Sequence, residues 1–279
     1  MWLQGGPGAS SLLGLLYEHG ALRFEEGAPA GAEPEDNPLA WNLKANVVYI
    51  DQPFGTGFSY AEDEADLVTD LKQMAAHLRS ALLDLVANKQ PWLNGKPLWL
   101  SGESYAGKYV PHLATAILGE PLAQLNLKGL LMGDPWTDPP HIVATYADYS
   151  KAHGLVGDAG YKALLANNTE FQSLVEAKNW SAATNKEHAM EAFVEATAGV
   201  NAYDVRRGPY DFGAATAYLN DPKTRAGLNL TDFEPRWALV SEAVSATLHD
   251  DIAKPAAHLM PALFDNPDLI KVIYTVRAP

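Results

Sequence analysis

An apolar run passes through a serine flanked by small residues directly into a helical pattern: Leu98-Trp99-Leu100-Ser101-Gly102-Glu103-Ser104-Tyr105-Ala106-Gly107. A serine on so sharp a strand-to-helix turn is a nucleophile elbow, with its hydroxyl held clear of the backbone. The turn is tight, so the residues two before and two after the serine must be small. Here they are Gly102 and Ala106, with Gly107 next, a one-methyl departure from G-x-S-x-G. The pattern Gly-x-Ser-x-small arises often by chance. The strand before it and the helix after it separate this instance from an accident. The helix that opens behind Ser104 turns its free N–H groups toward any negative charge developing on an attacked carbonyl.

The rest of the chain supplies the sheet that such a turn needs. Trp2-Leu3-Gln4 reads as the tail of a strand entering the turn Gly5-Gly6-Pro7-Gly8, and Val47–Asp51 reads as a β-branched second strand. Pro97–Ser101, Lys128–Met132 and Lys271–Thr275 have strand composition as well. Leu67, Leu71, Met74, Leu78, Leu82 and Leu85 recur at spacings of three and four and predict one helix from Asp63 to Lys89, with acids in its first turn. A second helix is expected over Ala106–Leu118. Alternating strands and helices imply an α/β fold with a mostly parallel sheet covered on both faces. From about Tyr146 to Gly199 the chain is Ala-rich and helical in period. The expected division is a core of 1–145 with 236–279 and a helical insertion, or cap, over 146–235.

Composition narrows the classes of function. With 47% hydrophobic and 19% charged residues the chain is an ordinary globular one. Its formal net charge of −14 argues against nucleic acid or an anionic membrane as partner, since either would repel it. The absence of cysteine excludes disulfides, thiolate metal sites and a Cys nucleophile. No metal and no cofactor are expected. No apolar run of about 18 residues offers a membrane span, and Met1 leads at once into Trp2-Leu3-Gln4-Gly5-Gly6 with no signal peptide. Asn167, Asn179 and Asn229 open sequons, a common chance pattern.

Several longer motifs then fall in a fixed order: Trp2–Ser11, Glu18-His19-Gly20, Asn37–Asn42, Ala45-Asn46, Asp51–Tyr60, Gly102–Gly107, Gly129–Asp134 and His153-Gly154. Together they resemble the serine carboxypeptidase family, peptidase family S10, over nearly the whole length. The resemblance implies an α/β-hydrolase fold and removal of C-terminal residues from peptides through an acyl-enzyme. Ser104 matches the nucleophile, and the backbone N–H groups of Gly6 and Tyr105 match the oxyanion hole. Gln4, Glu18 and Glu103 match the residues that bind the substrate's C-terminal carboxylate. Gln4 stands where many relatives have Asn, and Ala9 stands where relatives commonly have Cys, so a family disulfide is absent. Two neighbouring carboxylates cannot both ionise cheaply, so the pair can share a proton and donate it to a peptide carboxylate. Phe54, Phe58 and Tyr60 either border a substrate pocket or belong to the core. The implied compartment is the secretory pathway, lysosome or vacuole, or the exterior.

The order of catalytic groups on such a fold is Ser, then acid, then His. The family places its acid just after a strand like Lys271–Thr275, where this sequence reads Val276-Arg277-Ala278-Pro279, and no histidine follows His258. His19 and His112 lie near site motifs but read as surface or packing residues, and His153 reads as a helix C-terminal residue. The sequence is therefore expected to be a fragment, inactive as it stands because a serine without its base is a weak nucleophile. The rival readings are an acyltransferase on the same scaffold and a non-catalytic carboxylate-binding protein. Acyltransferase relatives tend to have Asp before the nucleophile, so Glu103 favours the peptidase.

Overall fold

The structure, a computed structural model, describes residues 1–25, 27–233 and 235–274. They form two compact units, the first from the described residues of Met1–Pro135, Asp211–Leu248 and Leu259–Thr275, the second from Trp136–Tyr210 and His249–His258.

The first unit is built on strands β1 (Trp2–Leu3), β4 (Pro97–Glu103), β5 (Asn126–Gly133) and β6 (Ile270–Tyr274), arranged in the order β1-β4-β5-β6 with every pair parallel. Between β1 and β4 in sequence lies a small antiparallel pair, β2 (Leu22–Arg23) and β3 (Glu35–Asp36). Parallel strands are covered on both faces and read as apolar runs. Accordingly Leu3, Leu100, Leu130 and Met132 are all fully buried. Helix α1 (Leu71–Asp84) packs against helix α2 (Ala106–Gly119). Helix α1 begins where the Asp70 carboxylate accepts from the N–H groups of Lys72 and Gln73, and it buries Leu71, Met74, Leu78 and Leu82. Each such side chain contributes about 1.5–3 kcal/mol relative to exposure. Helix α2 buries Tyr109, Val110, Leu113 and Ile117.

The second unit is helical. Helices α3 (Pro139–Ala144), α4 (Tyr146–Ala152), α5 (Asp158–Glu176) and α6 (Trp180–Ala198) close around Val143, Leu164, Phe171, Ala183 and Met190. Asn179 caps α6, and Gly199, in the left-handed conformation, ends it. The buried Glu187 carboxyl accepts a hydrogen bond of 2.8 Å from the Tyr146 hydroxyl. Helices α7 (Gly213–Asn220), α8 (Pro222–Gly227), α9 (Glu242–Thr247) and α10 (Met260–Phe264) belong to the first unit. There Ala214, Ala215 and Leu219 pack with Leu16, Phe24 and Trp237 in a satellite core. No helix among the described residues is long and apolar enough to cross a membrane.

Two expected elements differ. Val47–Asp51 forms no regular strand; Tyr49 makes a single parallel bridge to Trp2, and the Val48 carbonyl accepts from the Trp2 N–H at 2.8 Å. Its neighbour β1 spans only Trp2–Leu3, too short a partner for a longer ladder. The helix expected from Asp63 to Lys89 is broken as well. A 3₁₀ turn at Glu64–Asp66 is followed by extended chain before α1, and a wider turn over Leu85–Lys89 follows it. Leu67 and Val68 are buried in that extended stretch, so the apolar spacing runs on across a backbone break. The strand expected at Lys271–Thr275 is β6, and Thr275 lies outside the described residues.

Candidate active site

Ser104 lies between the end of β4 and the start of α2, at the carboxyl edge of the parallel sheet where ligands bind in open α/β folds. Its φ of 59° is left-handed, a conformation that costs a non-glycine residue about 1–3 kcal/mol unless its surroundings impose it. They do. The Ser104 N–H donates to the Gly133 carbonyl at 3.1 Å, and its own carbonyl accepts from Gly107 at 2.8 Å. A Cβ on Gly102 would sit 2.6 Å from Cβ of Ala106 and 2.8 Å from the Leu3 carbonyl oxygen. A Cβ on Gly5 would sit 2.6 Å from the Tyr105 nitrogen and 3.0 Å from Cβ of Ser104. The Gly5-Gly6 turn is thus wedged against the elbow, with Gly6 at φ 107° and Tyr105 opening α2.

That turn is clamped from below by Asp51. One of its oxygens accepts from the Ser10 hydroxyl at 2.5 Å and the Ser11 N–H at 2.9 Å, and the other accepts from the Phe58 N–H at 2.9 Å. The Ser11 hydroxyl donates to the Ile50 carbonyl and accepts from the Gln4 N–H at 3.0 Å. The sequence marks Asp51 as the end of an expected strand and the start of the Asp51–Tyr60 motif. Its bonds to Ser10 and Ser11 join segments some forty residues apart, which no local pattern announces.

Beside the elbow the carboxylate-binding candidates meet. Oε1 of Gln4 accepts from the Trp2 indole at 3.0 Å, which leaves its amide N–H groups to donate to Glu18. Burial, then the charge of Glu103, raises the Glu18 carboxyl to about 8, and the Gln4 bond pulls the other way. Glu103, the last residue of β4, is raised by burial and by Asp134, which follows β5. Tyr274 of β6 feels Glu103, Glu18 and Asp134 and is raised, chiefly by burial. Its ring lies where a Cβ on Gly133 would be, 2.8 Å away. The Glu18 carboxyl, raised to about 8 by burial and by Glu103, holds its proton near neutral pH. It can therefore donate hydrogen bonds to an anion.

His19, expected as a surface or packing residue, is buried with its Nδ1 2.9 Å from the Tyr49 hydroxyl, and Asp134, expected only as the end of a motif, acts on Glu103. Among the described residues no histidine hydrogen-bonds the Ser104 hydroxyl. His19 turns to Tyr49, His112 to the Lys108 carbonyl, His141 to Asp138, His153 to the Tyr149 carbonyl, and His249 to Asp250 and Asn185. His153 caps α4 at its C-terminus, as its place beside Gly154 implies. Phe54 and Tyr60 are exposed and line a shallow depression, whereas Phe58 packs against the satellite core.

The profile of the serine carboxypeptidase family matches residues 1–275. The chain is 34% identical to serine carboxypeptidase-like 50 of Arabidopsis thaliana, over 91% of its own length and 57% of that protein's. It is 30% identical to serine carboxypeptidase S10 family member 1 of Dictyostelium discoideum, over 95% and 65%. The crystal structure of a prohormone-processing carboxypeptidase from Saccharomyces cerevisiae superposes with a TM-score of 0.83 at 25% identity, over 98% of this chain and 64% of that one. The chain thus spans about three-fifths of the length of these relatives.

Proposed function

The chain belongs to the serine carboxypeptidase family, and from that premise we propose that it carries the nucleophile and the carboxylate pocket of a peptidase that removes C-terminal residues. The observation that supports this reading is the meeting of Gln4, Glu18 and Glu103 beside the elbow. A peptide's terminal carboxylate needs donors, and ionised acids would repel it. The raised Glu18 and Glu103 hold the proton that makes them donors. With the carboxylate anchored there, the scissile carbonyl lies over Ser104. Attack by its hydroxyl oxygen forms the acyl-enzyme and frees the terminal amino acid, and water then releases the shortened peptide. The N–H groups of Gly6 and Tyr105 are the proposed donors to the oxyanion.

The Ser104 proton needs a base in this scheme. With no histidine among the described residues on its hydroxyl, the 279-residue chain is proposed to bind peptides without turning them over. An acyltransferase would use the same nucleophile, and Glu103 in place of Asp speaks for the peptidase. The net charge of −14 supports a peptide rather than a nucleic acid as ligand. A compartment in the secretory pathway, lysosome or vacuole, or outside the cell, and a division into a core with an insertion over 146–235, belong to the same proposal.

Calorimetry with an N-blocked dipeptide and its C-terminal amide tests the pocket. The free acid binds, more tightly as pH falls from 7 to 5, the amide does not, and Glu103→Gln flattens the pH dependence. Equal affinity for acid and amide would sink the reading. A fluorophosphonate probe tests the nucleophile: labelling no greater than in Ser104→Ala is expected, in line with the roughly 10⁴–10⁶-fold losses that follow removal of triad members.

A further inference from the structure

The scheme so far gives His19 no task, yet it is 8% exposed and set in a box of aromatic rings. Its ring lies flat on Trp41 at 4.0 Å between centroids, meets Trp2 edge-on at 4.2 Å and stacks at 5.6 Å with Tyr49. Burial carries its pKa down to about 4, so the imidazole is neutral wherever the acid pocket is half-protonated. A neutral imidazole has one donor nitrogen and one acceptor. Nδ1 is satisfied by the Tyr49 hydroxyl at 2.9 Å. Nε2 is buried with no hydrogen-bond partner among the described residues, and it faces Oε2 of Glu18 at 3.6 Å. That separation is just past hydrogen-bond reach, and buried polar atoms left without a partner are rare.

We propose that His19 is a positioning residue of the carboxylate pocket: held by Tyr49 as the Nε2–H tautomer, it donates to Oε2 of Glu18 when a peptide binds, and so turns the proton on the other Glu18 oxygen toward the peptide carboxylate. This rests on the carboxypeptidase reading of the pocket. The tautomer decides the direction. With the Tyr49 hydroxyl donating to Nδ1, the Nε2–H points at Glu18. With Nδ1–H donating to Tyr49 instead, Nε2 would present a lone pair and compete with the ligand for the same proton. The remaining gap closes by a small rotation of the Glu18 carboxyl, whose terminal torsion is soft.

The groups that face this pair are few. Glu18 is faced by Gln4 after β1, Glu103 at the end of β4, Tyr49 and Tyr274 of β6. Asp134 faces Glu103 from the end of β5, and the Met1 ammonium faces His19. Among these groups the Gln4 amide already donates to Glu18, and the unpartnered Nε2 of His19, which faces Oε2 of Glu18, can supply a second donor. A donor on Glu18 also stabilises its ionised form, so deleting the donor moves loss of the proton to higher pH.

Nitrogen-15 NMR of the ligand-free 279-residue chain reads the tautomer, and the Nε2–H form is expected. Adding the N-blocked dipeptide then shifts the Nε2–H signal downfield as the bond to Glu18 forms. His19→Phe keeps a ring in the aromatic box and deletes both nitrogens. Its affinity for the dipeptide at pH 6 falls about three- to tenfold, the usual weight of one hydrogen bond, while the high-pH limb of binding moves to higher pH. His19→Gln restores a side-chain N–H and recovers most of the loss. A Nδ1–H tautomer in the parent, or a bound dipeptide that leaves the Nε2 signal unmoved, overturns the role of His19. So does a His19→Phe variant with the parent's affinity and pH profile, and if that variant does not fold the parent spectra decide alone. Failure of the dipeptide to bind the parent at all overturns the pocket itself.

Discussion

Replacing Glu18 by Gln keeps the shape of the side chain and removes its charge, and the structure gives the size of the effect. Burial and the neighbouring Glu103 carry the carboxyl from 4.5 to about 8. A tenfold change in a proton equilibrium is worth about 1.4 kcal/mol, so the whole displacement corresponds to roughly 5 kcal/mol. The side chain retains 27% of its exposure and shares its proton with Glu103, which reduces the expected figure to about 2–3 kcal/mol. The sign follows from proton binding. Between 4.5 and about 8 the folded chain holds the Glu18 proton and the unfolded chain has lost it. The contribution to stability is fully present below pH 4.5 and is lost as pH rises through that window. Glu18→Gln cannot ionise and has no such loss. Urea unfolding of both proteins between pH 5 and 8.5 measures the difference. The variant gains about 2–3 kcal/mol on the parent across the range, since Asp51, Glu187 and Glu191, also raised by burial, are common to both and cancel. A difference that stays constant with pH would show that Glu18 is neither buried nor paired as described.

Other perturbations act on the elbow and the two units. Gly5→Ala sets a methyl 2.6 Å from the Tyr105 nitrogen, where only backbone could yield; a loss of about 2–3 kcal/mol is expected in the same urea assay. Phe171→Ala empties the fully buried centre of the helical unit and costs about 3–5 kcal/mol, read as a lower Tm by helical circular dichroism. Asp70→Ala removes the acceptor for two N–H groups at the start of α1 and costs about 1 kcal/mol by urea unfolding.

The elbow was legible because everything it needs is local: an apolar strand, a small residue on either side of Ser104 and a helix behind it. The motifs around Gln4, Glu18 and Glu103 were legible through resemblance, and the structure brings those three side chains together. The break in the helix from Asp63 to Lys89 was hidden because Leu67 and Val68 keep the apolar rhythm while extended. A signal did exist, since Asp70 with Gln73 three residues on has capping-box spacing, and Oε1 of Gln73 accepts the Thr69 N–H. His19 and Asp134 stood in the motifs Glu18-His19-Gly20 and Gly129–Asp134, but nothing local assigned either a role. What a histidine does is set by what surrounds it, and here Trp41 and Tyr49 arrive from another loop. The β-branched run at Val47–Asp51 had the right composition for a strand, but a ladder also requires a partner of matching length.

Because every neighbour in β1-β4-β5-β6 is parallel, no two of these strands can be joined by a tight hairpin, and each pairing closes a long loop. The pairing of β6 with β5 closes over residues 134–269, the whole helical unit included. Closure entropy grows with loop length, so this pairing carries the largest closure cost of the three in the sheet. The acid cluster acts on Tyr274 and is complete only once that pairing has closed. A ligand that binds only that completed cluster would stabilise the native state by mass action.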